Sequence, residues 1–463
     1  MTRGKSMRAV LILLLTFSAN SVIAAEGPLA EILTPILKQA QLAKGQYGIE
    51  VRELRGGKIL FSEGADLLFT PASSIKVLIA ATALSRLGPN YRFKTLVRKA
   101  GNHLCLIGRG DPSLVDESVW LLAKEVRRKG VRKIADLIGD DSYFSPARDY
   151  SVEFEQDFDQ FFAAPVSALS VNSNSLTLHV EPTRIGKPPR ILLESELPIF
   201  QIRNQALTTS NDVIGGVGTA VERSGDFLTV SIRGNIFLSE RITRNCSVPD
   251  PALYTAGIFA KQFRRAGGKI TGKIRAGICP ATGTQELLEF SSKPLSQIVF
   301  DLNKTSNNFI AEMLLRAVGT EPNAESGLRT LREWLSARGI EAPGLVLENA
   351  SGFSRKTRIS ARTLGLIVRA AAVDLAIAPE FLASLSIGGV DGTLGNRFSA
   401  TPSKLRAKTG NMSGIVSLTG VFQTVDGVEV VFSTLFNFPM GDNGEFQRLE
   451  ERLVAAIVAA KTR

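Results

Sequence analysis

Histidine is almost absent from this chain of 463 residues, which contains only His103 and His179. A hydrolase that activates a serine through histidine needs a histidine and an acid beside that serine. Both histidines lie among strand-like residues of a long central segment, and we interpret them as partly buried or surface residues. The scarcity of histidine therefore argues against a Ser-His-Asp mechanism.

Cysteine is also scarce. The chain contains only Cys105, Cys246 and Cys279, which permit at most one disulfide and leave one thiol unpaired. A bridge between Cys246 and Cys279 is favoured, since both lie in the second half of the same apparent insertion. No spacing of cysteine or histidine indicates zinc. We therefore expect neither a metal nor a cofactor.

Basic runs interleaved with aromatic residues are missing as well, although the formal net charge is +11. This absence argues against nucleic acid as a partner. A basic protein that is exported has an anionic polymer such as the cell wall as its natural partner. Loose association with a membrane or with the cell wall is therefore an open alternative. The sequence does not determine the oligomeric state.

The first 25 residues have the pattern of a secretory signal peptide. Arg3, Lys5 and Arg8 form a charged start, residues 10–17 an apolar centre, and Ala24-Ala25 a small-residue cleavage site. The apolar centre is short for a membrane span, which favours cleavage over an uncleaved anchor. No later stretch is long enough to cross a bilayer, so we expect a periplasmic or otherwise exported protein. The residues that remain after cleavage are too many for one core, which predicts two or three domains.

Three short strings carry the chemistry: Ser73-Ser74-Ile75-Lys76, Ser306-Asn307-Asn308 and Lys408-Thr409-Gly410. A serine hydroxyl is a weak nucleophile and needs a neighbouring base. Residues three apart share one face of a helix, so Lys76 can take the proton of Ser73. Pro71 and the apolar run 77–81 predict a helix that begins near Ser73, with Thr70 as its cap. The strings predict acyl transfer through a serine without histidine.

The other members of the three strings have roles in this chemistry. Lys408 is a cation that lowers the pKa of Lys76 and, with Thr409, holds a substrate carboxylate. Gly410 lets the strand backbone approach a ligand closely. Ser306 relays a proton to the leaving group, and Asn308 clamps a substrate amide. Each string is weak evidence alone, and the prediction depends on all three occurring in this order.

The chain resembles class C low-molecular-mass penicillin-binding proteins, the family of D-alanyl-D-alanine carboxypeptidases and endopeptidases. The strings that carry the resemblance are residues 71–76, 108–114, 303–312, 351–355, 389–394 and 407–410. The resemblance implies a serine peptidase that cleaves peptidoglycan peptides ending in D-Ala-D-Ala and is acylated by β-lactams. It also implies an oxyanion site formed by the backbone N–H groups of Ser73 and Asn411.

The implied fold is a penicillin-recognising serine transpeptidase-like α/β sandwich, in which helices flank an antiparallel sheet, with a large two-domain insertion. The boundaries that we predict are 1–25 for the signal peptide, 26–98 and 287–463 for the catalytic domain, 99–150 and 226–286 for inserted domain II, and 151–225 for a small β-rich domain III. Helices are predicted at 29–43, 117–129, 251–266, 328–338, 361–373 and 445–460, and strands at 47–52, 58–61, 134–138, 404–409, 414–424 and 428–436.

Two departures from the family pattern leave alternatives open. Asn349-Ala350 replaces the usual Asp-Gly before Ser351-Gly352, and Asn411 replaces the usual Ser or Thr after Lys-Thr-Gly. One alternative is a wall-binding or β-lactam-binding relative with impaired catalysis. The other is a β-lactamase, which the long insertion between Ser73 and Ser306 disfavours. The sequence leaves the preference between carboxypeptidase and endopeptidase activity open.

Overall fold

The computed structural model describes residues 28–42, 45–146, 148–149, 164–210, 216–399, 405–439 and 441–461. The predicted signal peptide lies outside the described residues, as do Lys404 and residues 150–163. Helices and strands are numbered separately in chain order. The helices are α1 Pro28–Leu42, α2 Lys76–Leu87, α3 Asp116–Arg128, α4 Pro251–Arg265, α5 Leu295–Lys304, α6 Asn308–Val318, α7 Ala324–Ala337, α8 Ala361–Val373, α9 Ala378–Ser384 and α10 Asn443–Ala459.

The strands form several separate sheets. They are β1 Gln46–Glu53, β2 Ile59–Glu63, β3 Leu68–Phe69, β4 Lys94–Ala100, β5 His103–Gly108, β6 Lys133–Ile134, β7 Leu137–Asp140, β8 Arg148–Asp149, β9 Val166–Ser167, β10 Ser175–Glu181, β11 Arg190–Leu193, β12 Phe200–Asn204, β13 Leu207–Thr209, β14 Gly216–Ser224, β15 Phe227–Phe237, β16 Ile242–Ser247, β17 Lys269–Ile270, β18 Ile274–Ala276, β19 Thr284–Ser291, β20 Ile359–Ser360, β21 Ser386–Ile387, β22 Arg406–Met412, β23 Ile415–Gln423 and β24 Glu429–Asn437.

The main sheet joins both ends of the chain in the antiparallel order β2-β1-β24-β23-β22-β21. Side chains alternate between its faces, as β24 shows. Val430 and Phe432 pack in a core with α1 and α10, whereas Val431 and Leu435 pack in a core with α2 and α5 to α9. Helices therefore cover both faces of an antiparallel sheet, and the predicted α/β sandwich is confirmed.

A second, five-stranded sheet has the order β18-β7-β5-β4-β19 and forms a core with α3 and α4. Two smaller sheets contain β10, β11 and β16, and β12 to β15. The antiparallel pair β4 and β19 spans residues 94–100 and 284–291, on both sides of the predicted boundaries at 98 and 287. The domain boundaries stay a prediction.

The disulfide joins Cys105 to Cys279, with 5.8 Å between the two Cα atoms, so the predicted bridge between Cys246 and Cys279 is wrong. Cys105 lies on β5 and Cys279 follows β18, and parallel pairing through β7 brings these segments together. Cys246 lies in a different sheet, on β16, with its Sγ 3.2 Å from Thr219 Oγ1. The disulfide therefore joins cysteines that strand pairing brings together, not the two that are nearer in sequence.

Most predicted elements occur within a few residues of their predicted bounds. The strand predicted at 134–138 is instead two strands, β6 and β7, which pair with different neighbours. The segment 295–318 forms α5 and α6 with a break at Thr305–Asn307. That break places the second motif between two helices. Among the described helices, none combines the length and apolar composition required to cross a bilayer.

Candidate active site

Ser73 lies in a 3-10 turn, Ala72–Ile75, directly before α2. Ala72 has a φ of +48°, in the left-handed region that costs energy for a residue with a side chain. The turn is fixed from two sides. Ser417 Oγ on β23 donates to Pro71 O at 2.5 Å, and Gly352 packs so closely that a Cβ there would overlap Ala72 O.

The prediction that Thr70 caps this helix is wrong, because no side chain caps the turn. Thr70 is instead joined to the end of β24. Asn437 accepts from Thr70 N at 3.0 Å and donates to Thr70 O at 3.1 Å. The amide of Asn437 therefore holds the chain just before the nucleophile turn.

Lys76 is the first residue of α2, and its Nζ lies 2.7 Å from Ser73 Oγ. The same Nζ is 2.7 Å from Asn308 Oδ1 and 2.5 Å from Ser351 O. The side chain is fully buried. Burial, and next the charge of Lys408, hold the pKa of Lys76 well below its usual value, against an opposing effect of Glu312. An amine in this position is suited to accept the serine proton.

Ser306 lies in the break between α5 and α6, with a φ of +56°. Asn307 caps α6 by accepting from Ile310 N at 2.9 Å, so the amide of Asn308 is free to face Lys76. Lys408 on β22 donates to Ser306 Oγ at 2.8 Å. Lys408 is fully buried, and this burial lowers its pKa to about 7. Two Ser–Lys pairs therefore share one site, with Asn308 between them.

The rest of the third motif lines the edge of the nucleophile turn. Thr409 Oγ1 donates to Thr393 Oγ1 at 2.8 Å. Gly410 lies so close to Pro71 O and Ser417 Oγ that a side chain there would collide with both. Asn411 is exposed, and its Oδ1 accepts from Asn443 Nδ2 on α10. The substitution at 411 therefore ties this side chain to α10.

Seven of the eight predicted positions have side-chain or backbone contacts that place them at the Ser73 turn or on the strand beside it, and Asn411 follows them on β22. These positions are Ser73, Lys76, Ser306, Asn308, Lys408, Thr409 and Gly410. Within the described residues, no group of three or more His, Cys, Asp or Glu side chains is arranged to hold a metal. The chemistry of the site is that of hydroxyl, amine and amide groups.

Glu312, to which no sequence motif assigned a role, organises the loop behind Lys76. Glu312 Oε1 accepts from Ala350 N at 3.0 Å and Ser351 N at 2.8 Å. The carbonyl of Ser351 in turn accepts from Lys76, so Glu312 fixes an acceptor of that lysine. A signal was present, because Glu312 lies one helical turn after Asn308 and therefore on the same side of α6.

An ion pair between a buried lysine and a partly exposed aspartate supports the other side of the site. Lys304 Nζ lies 2.6 Å from Asp391 Oδ2 and donates to Leu385 O at 2.7 Å. Asp391 begins the turn that presents Thr393 to Thr409. The pair therefore connects the end of α5, just before Ser306, to the third motif.

The replaced loop residues also have defined contacts. Asn349 Oδ1 accepts from Gly352 N at 3.0 Å and closes the turn. This contact requires a hydrogen-bond acceptor at position 349 but not the negative charge of the usual Asp. Ala350 is buried and uses only its backbone N–H toward Glu312. Both replacements therefore leave the carbonyl of Ser351 directed at Lys76.

A serine and a lysine paired at the start of a helix, and opposed by a second such pair at the edge of an antiparallel sheet, define a penicillin-recognising serine enzyme. Residues 29–459 match the D-Ala-D-Ala carboxypeptidase 3 (S13) family. The chain belongs to this family, and the predicted serine carboxypeptidase class is confirmed.

Relatives and solved structures agree with this assignment. The chain is 30% identical over 443 residues to a D-alanyl-D-alanine carboxypeptidase of Actinomadura sp. (strain R39), covering 88% of this chain and 81% of the relative. It is 24% identical to D-alanyl-D-alanine carboxypeptidase DacB of Haemophilus influenzae, covering 85% and 86%. The crystal structure of penicillin binding protein 4 (dacB) from Haemophilus influenzae has a similar fold, with a TM-score of 0.81, 22% identity and coverage of 92% and 99%.

Proposed function

We propose that Ser73 is the nucleophile of this carboxypeptidase and that Lys76 is its general base. Ser73 Oγ attacks the carbonyl carbon between the two terminal D-alanines and forms an ester with the acyl part of the substrate. Lys76 takes the hydroxyl proton across 2.7 Å. That distance, between a partly exposed serine and a fully buried lysine, is the observation on which the proposal rests.

As the C–N bond breaks, Ser306, which accepts a hydrogen bond from Lys408, relays the proton that Lys76 took from Ser73 to the departing D-alanine amine. Asn308 holds the substrate amide, and Lys408 with Thr409 binds the terminal carboxylate. The backbone N–H groups of Ser73 and Asn411 bind the oxyanion, a role that a changed side chain at 411 leaves intact. Water then hydrolyses the ester and releases the trimmed peptide.

The substrate that we propose is a peptidoglycan stem peptide ending in D-Ala-D-Ala, processed after export to the periplasm. The signal pattern of the first 25 residues supports export. β-Lactams present a reactive amide and a carboxylate to the same groups, and would acylate Ser73. Both terminal trimming and cleavage of cross-links use this site. Loose association with a membrane or the cell wall accords with the basic charge.

The test is the release of D-alanine from a pentapeptide by the intact protein and by Ser73→Ala. We expect release by the wild type and none by the variant. Benzylpenicillin should add its mass to the peptide that contains Ser73. Ser85→Ala is a matched control, because this serine bonds Trp334 outside the site. A label on another residue would overturn the assignment of Ser73.

Two outcomes would favour the alternatives. A stable penicillin adduct on Ser73 without D-alanine release would indicate a binding relative with impaired turnover. Rapid hydrolysis of a chromogenic cephalosporin would indicate a β-lactamase. Comparing a pentapeptide with a cross-linked dimer in the same assay separates carboxypeptidase from endopeptidase activity.

A further inference from the structure

The positive charge of the chain is concentrated in one place. Residues 124–133 and 261–275 contain twelve of the 55 Lys and Arg residues but one of the 44 Asp and Glu residues. The remainder of the chain is therefore formally neutral, with 43 residues of each sign. We call these two segments together the basic face.

The fold brings the two segments of the basic face together. Arg127 Nε, near the end of α3, donates to Ala266 O at the end of α4 at 3.0 Å. Strands β6 and β17 then pair in parallel, which places Lys133 directly beside Lys269. Two helix ends and two short strands therefore form one continuous surface.

Most cations of the basic face are exposed and lack a carboxylate partner. The exposed ones are Lys124, Arg128, Lys129, Arg132, Lys133, Arg264, Arg265, Lys269 and Lys273. In the part of the chain that the structure describes, only Arg128 and Lys273 among these nine form salt bridges, with Glu125 and Asp226. The other seven charges are available to an anionic partner.

Helix stability explains only a few of these charges. Arg128 and the pair Arg264-Arg265 lie in the last turns of α3 and α4, where cations favour the helix dipole. Lys133 and Lys269 gain nothing from a dipole, and like charges side by side oppose folding. A surface that retains such repulsion is suited to an external anion.

Apolar side chains adjoin the basic face on α3. Trp120 and Leu121 are 36% and 49% exposed, and Lys124 Nζ lies 4.0 Å from the centre of the Trp120 ring. Tryptophan and leucine beside lysine and arginine are typical of helices that lie on a bilayer, where apolar groups enter the interface and cations meet phosphates. A hydrophilic wall polymer would leave both apolar side chains in water.

We propose that the basic face, together with Trp120 and Leu121, docks this protein on a membrane surface rich in anionic phospholipid. Phosphate groups of the lipid neutralise the exposed cations, while the two apolar side chains enter the headgroup region. Each Lys or Arg near an anionic bilayer contributes about 1 kcal/mol to binding. The attachment is peripheral and decreases as salt screens the charges.

The experiment uses the full-length mature protein and measures co-sedimentation with vesicles. Vesicles of phosphatidylglycerol mixed with phosphatidylcholine are compared with vesicles of phosphatidylcholine alone, at low and high salt. Arg132→Gln/Lys133→Gln/Lys269→Gln removes three charges of the basic face. Lys58→Gln/Lys187→Gln/Arg233→Gln removes three exposed charges elsewhere and is the matched control.

We expect binding to the anionic vesicles only, lost in high salt. Three charges at about 1 kcal/mol each predict a loss of roughly a hundredfold in the basic-face variant, with little change in the control. Trp120→Ser/Leu121→Ser should weaken binding several-fold. Equal binding by both triple variants would overturn the proposal. So would unchanged binding after loss of Trp120 and Leu121, or sedimentation with isolated peptidoglycan but not with vesicles.

Discussion

Lysines have opposite surroundings in two regions of this molecule. Lys76 and Lys408 are fully buried in the candidate active site, and each donates to identified oxygen atoms. Lys133 and Lys269 are exposed on the basic face and lie side by side. Burial lowers the pKa of the first two and turns them into a base and a titratable anion ligand. Exposure lets the other two act on a partner through water.

Lys76→Met gives the largest effect that this comparison predicts. The change keeps an unbranched side chain of similar length but removes the base 2.7 Å from Ser73. Acylation by benzylpenicillin should slow by about a thousandfold, within the usual range for loss of a general base. Stopped-flow or mass-spectrometric acylation rates measure it. Lys133→Met, on the basic face, should acylate like the wild type, and equal rates for both variants would contradict the prediction.

Lys408 predicts that substrate binding depends on pH. Its pKa of about 7 means that the cation for the substrate carboxylate disappears above neutral pH. If loss of this cation limits binding, kcat/KM for D-alanine release should fall about tenfold for each pH unit above the pKa. Lys408→Arg should retain its charge and move this decline to higher pH. An identical alkaline limb in the variant would exclude Lys408 as its source.

Lys408 also predicts that the stability of the fold depends on pH. Burial lowers the pKa of Lys408 from 10.5 in the unfolded chain to about 7 in the folded protein. Between these values the unfolded chain binds one more proton than the folded protein, so stability rises with pH. Below about pH 7 both states carry the proton, and the full penalty of the buried charge remains. Denaturant titrations should show a shallower slope in Lys408→Met than in the wild type, because Lys76, whose pKa is also lowered, still contributes.

The contrast between the two regions also explains what the sequence could predict. Ser73 and Lys76 are three residues apart, so helical spacing alone brings them together. The mostly apolar residues 428–436 likewise predict a strand, and its consecutive Val430, Val431 and Phe432 are covered by helices on both faces. Local patterns of this kind predicted most helices and strands and the pairing of Ser73 with Lys76, whereas the family resemblance implied the sandwich. The sequence assigns Lys408 to the site only because the three motifs occur together and in this order.

Other contacts depend on chain segments that are distant in sequence. Cys105 and Cys279 meet because β18, β7 and β5 pair in parallel, and nothing local in either segment specifies that order. The bond between Thr393 and Thr409 depends equally on how a turn packs against the sheet edge. The two segments of the basic face lie side by side because β6 pairs with β17, which neither segment indicates by itself.

Glu312→Gln should have a smaller effect than either lysine substitution. The amide oxygen of Gln can still accept from Ala350 N and Ser351 N, but the negative charge that raises the pKa of Lys76 is removed. The acid limb of the acylation profile should therefore move to lower pH, with a rate loss of a few-fold near neutrality. Glu312→Ala, which removes the acceptor as well, should lose more. An unmoved acid limb in Glu312→Gln would show that this charge does not reach Lys76.

Lys269→Gln gives the smallest effect and tests the exposed side of the comparison. The ammonium groups of Lys133 and Lys269 are neighbours across a parallel strand pair, so removing one relieves repulsion. The gain in unfolding free energy should be about 0.2–1 kcal/mol, as for other charge pairs on a sheet. Because both groups lie in water, salt should abolish the gain. The matched control Lys187→Gln, outside the basic face, should show none. A gain that persists in high salt would mean that Lys269 affects stability through packing rather than charge. The contrast between an exposed Lys269 and a buried Lys76 would then fail.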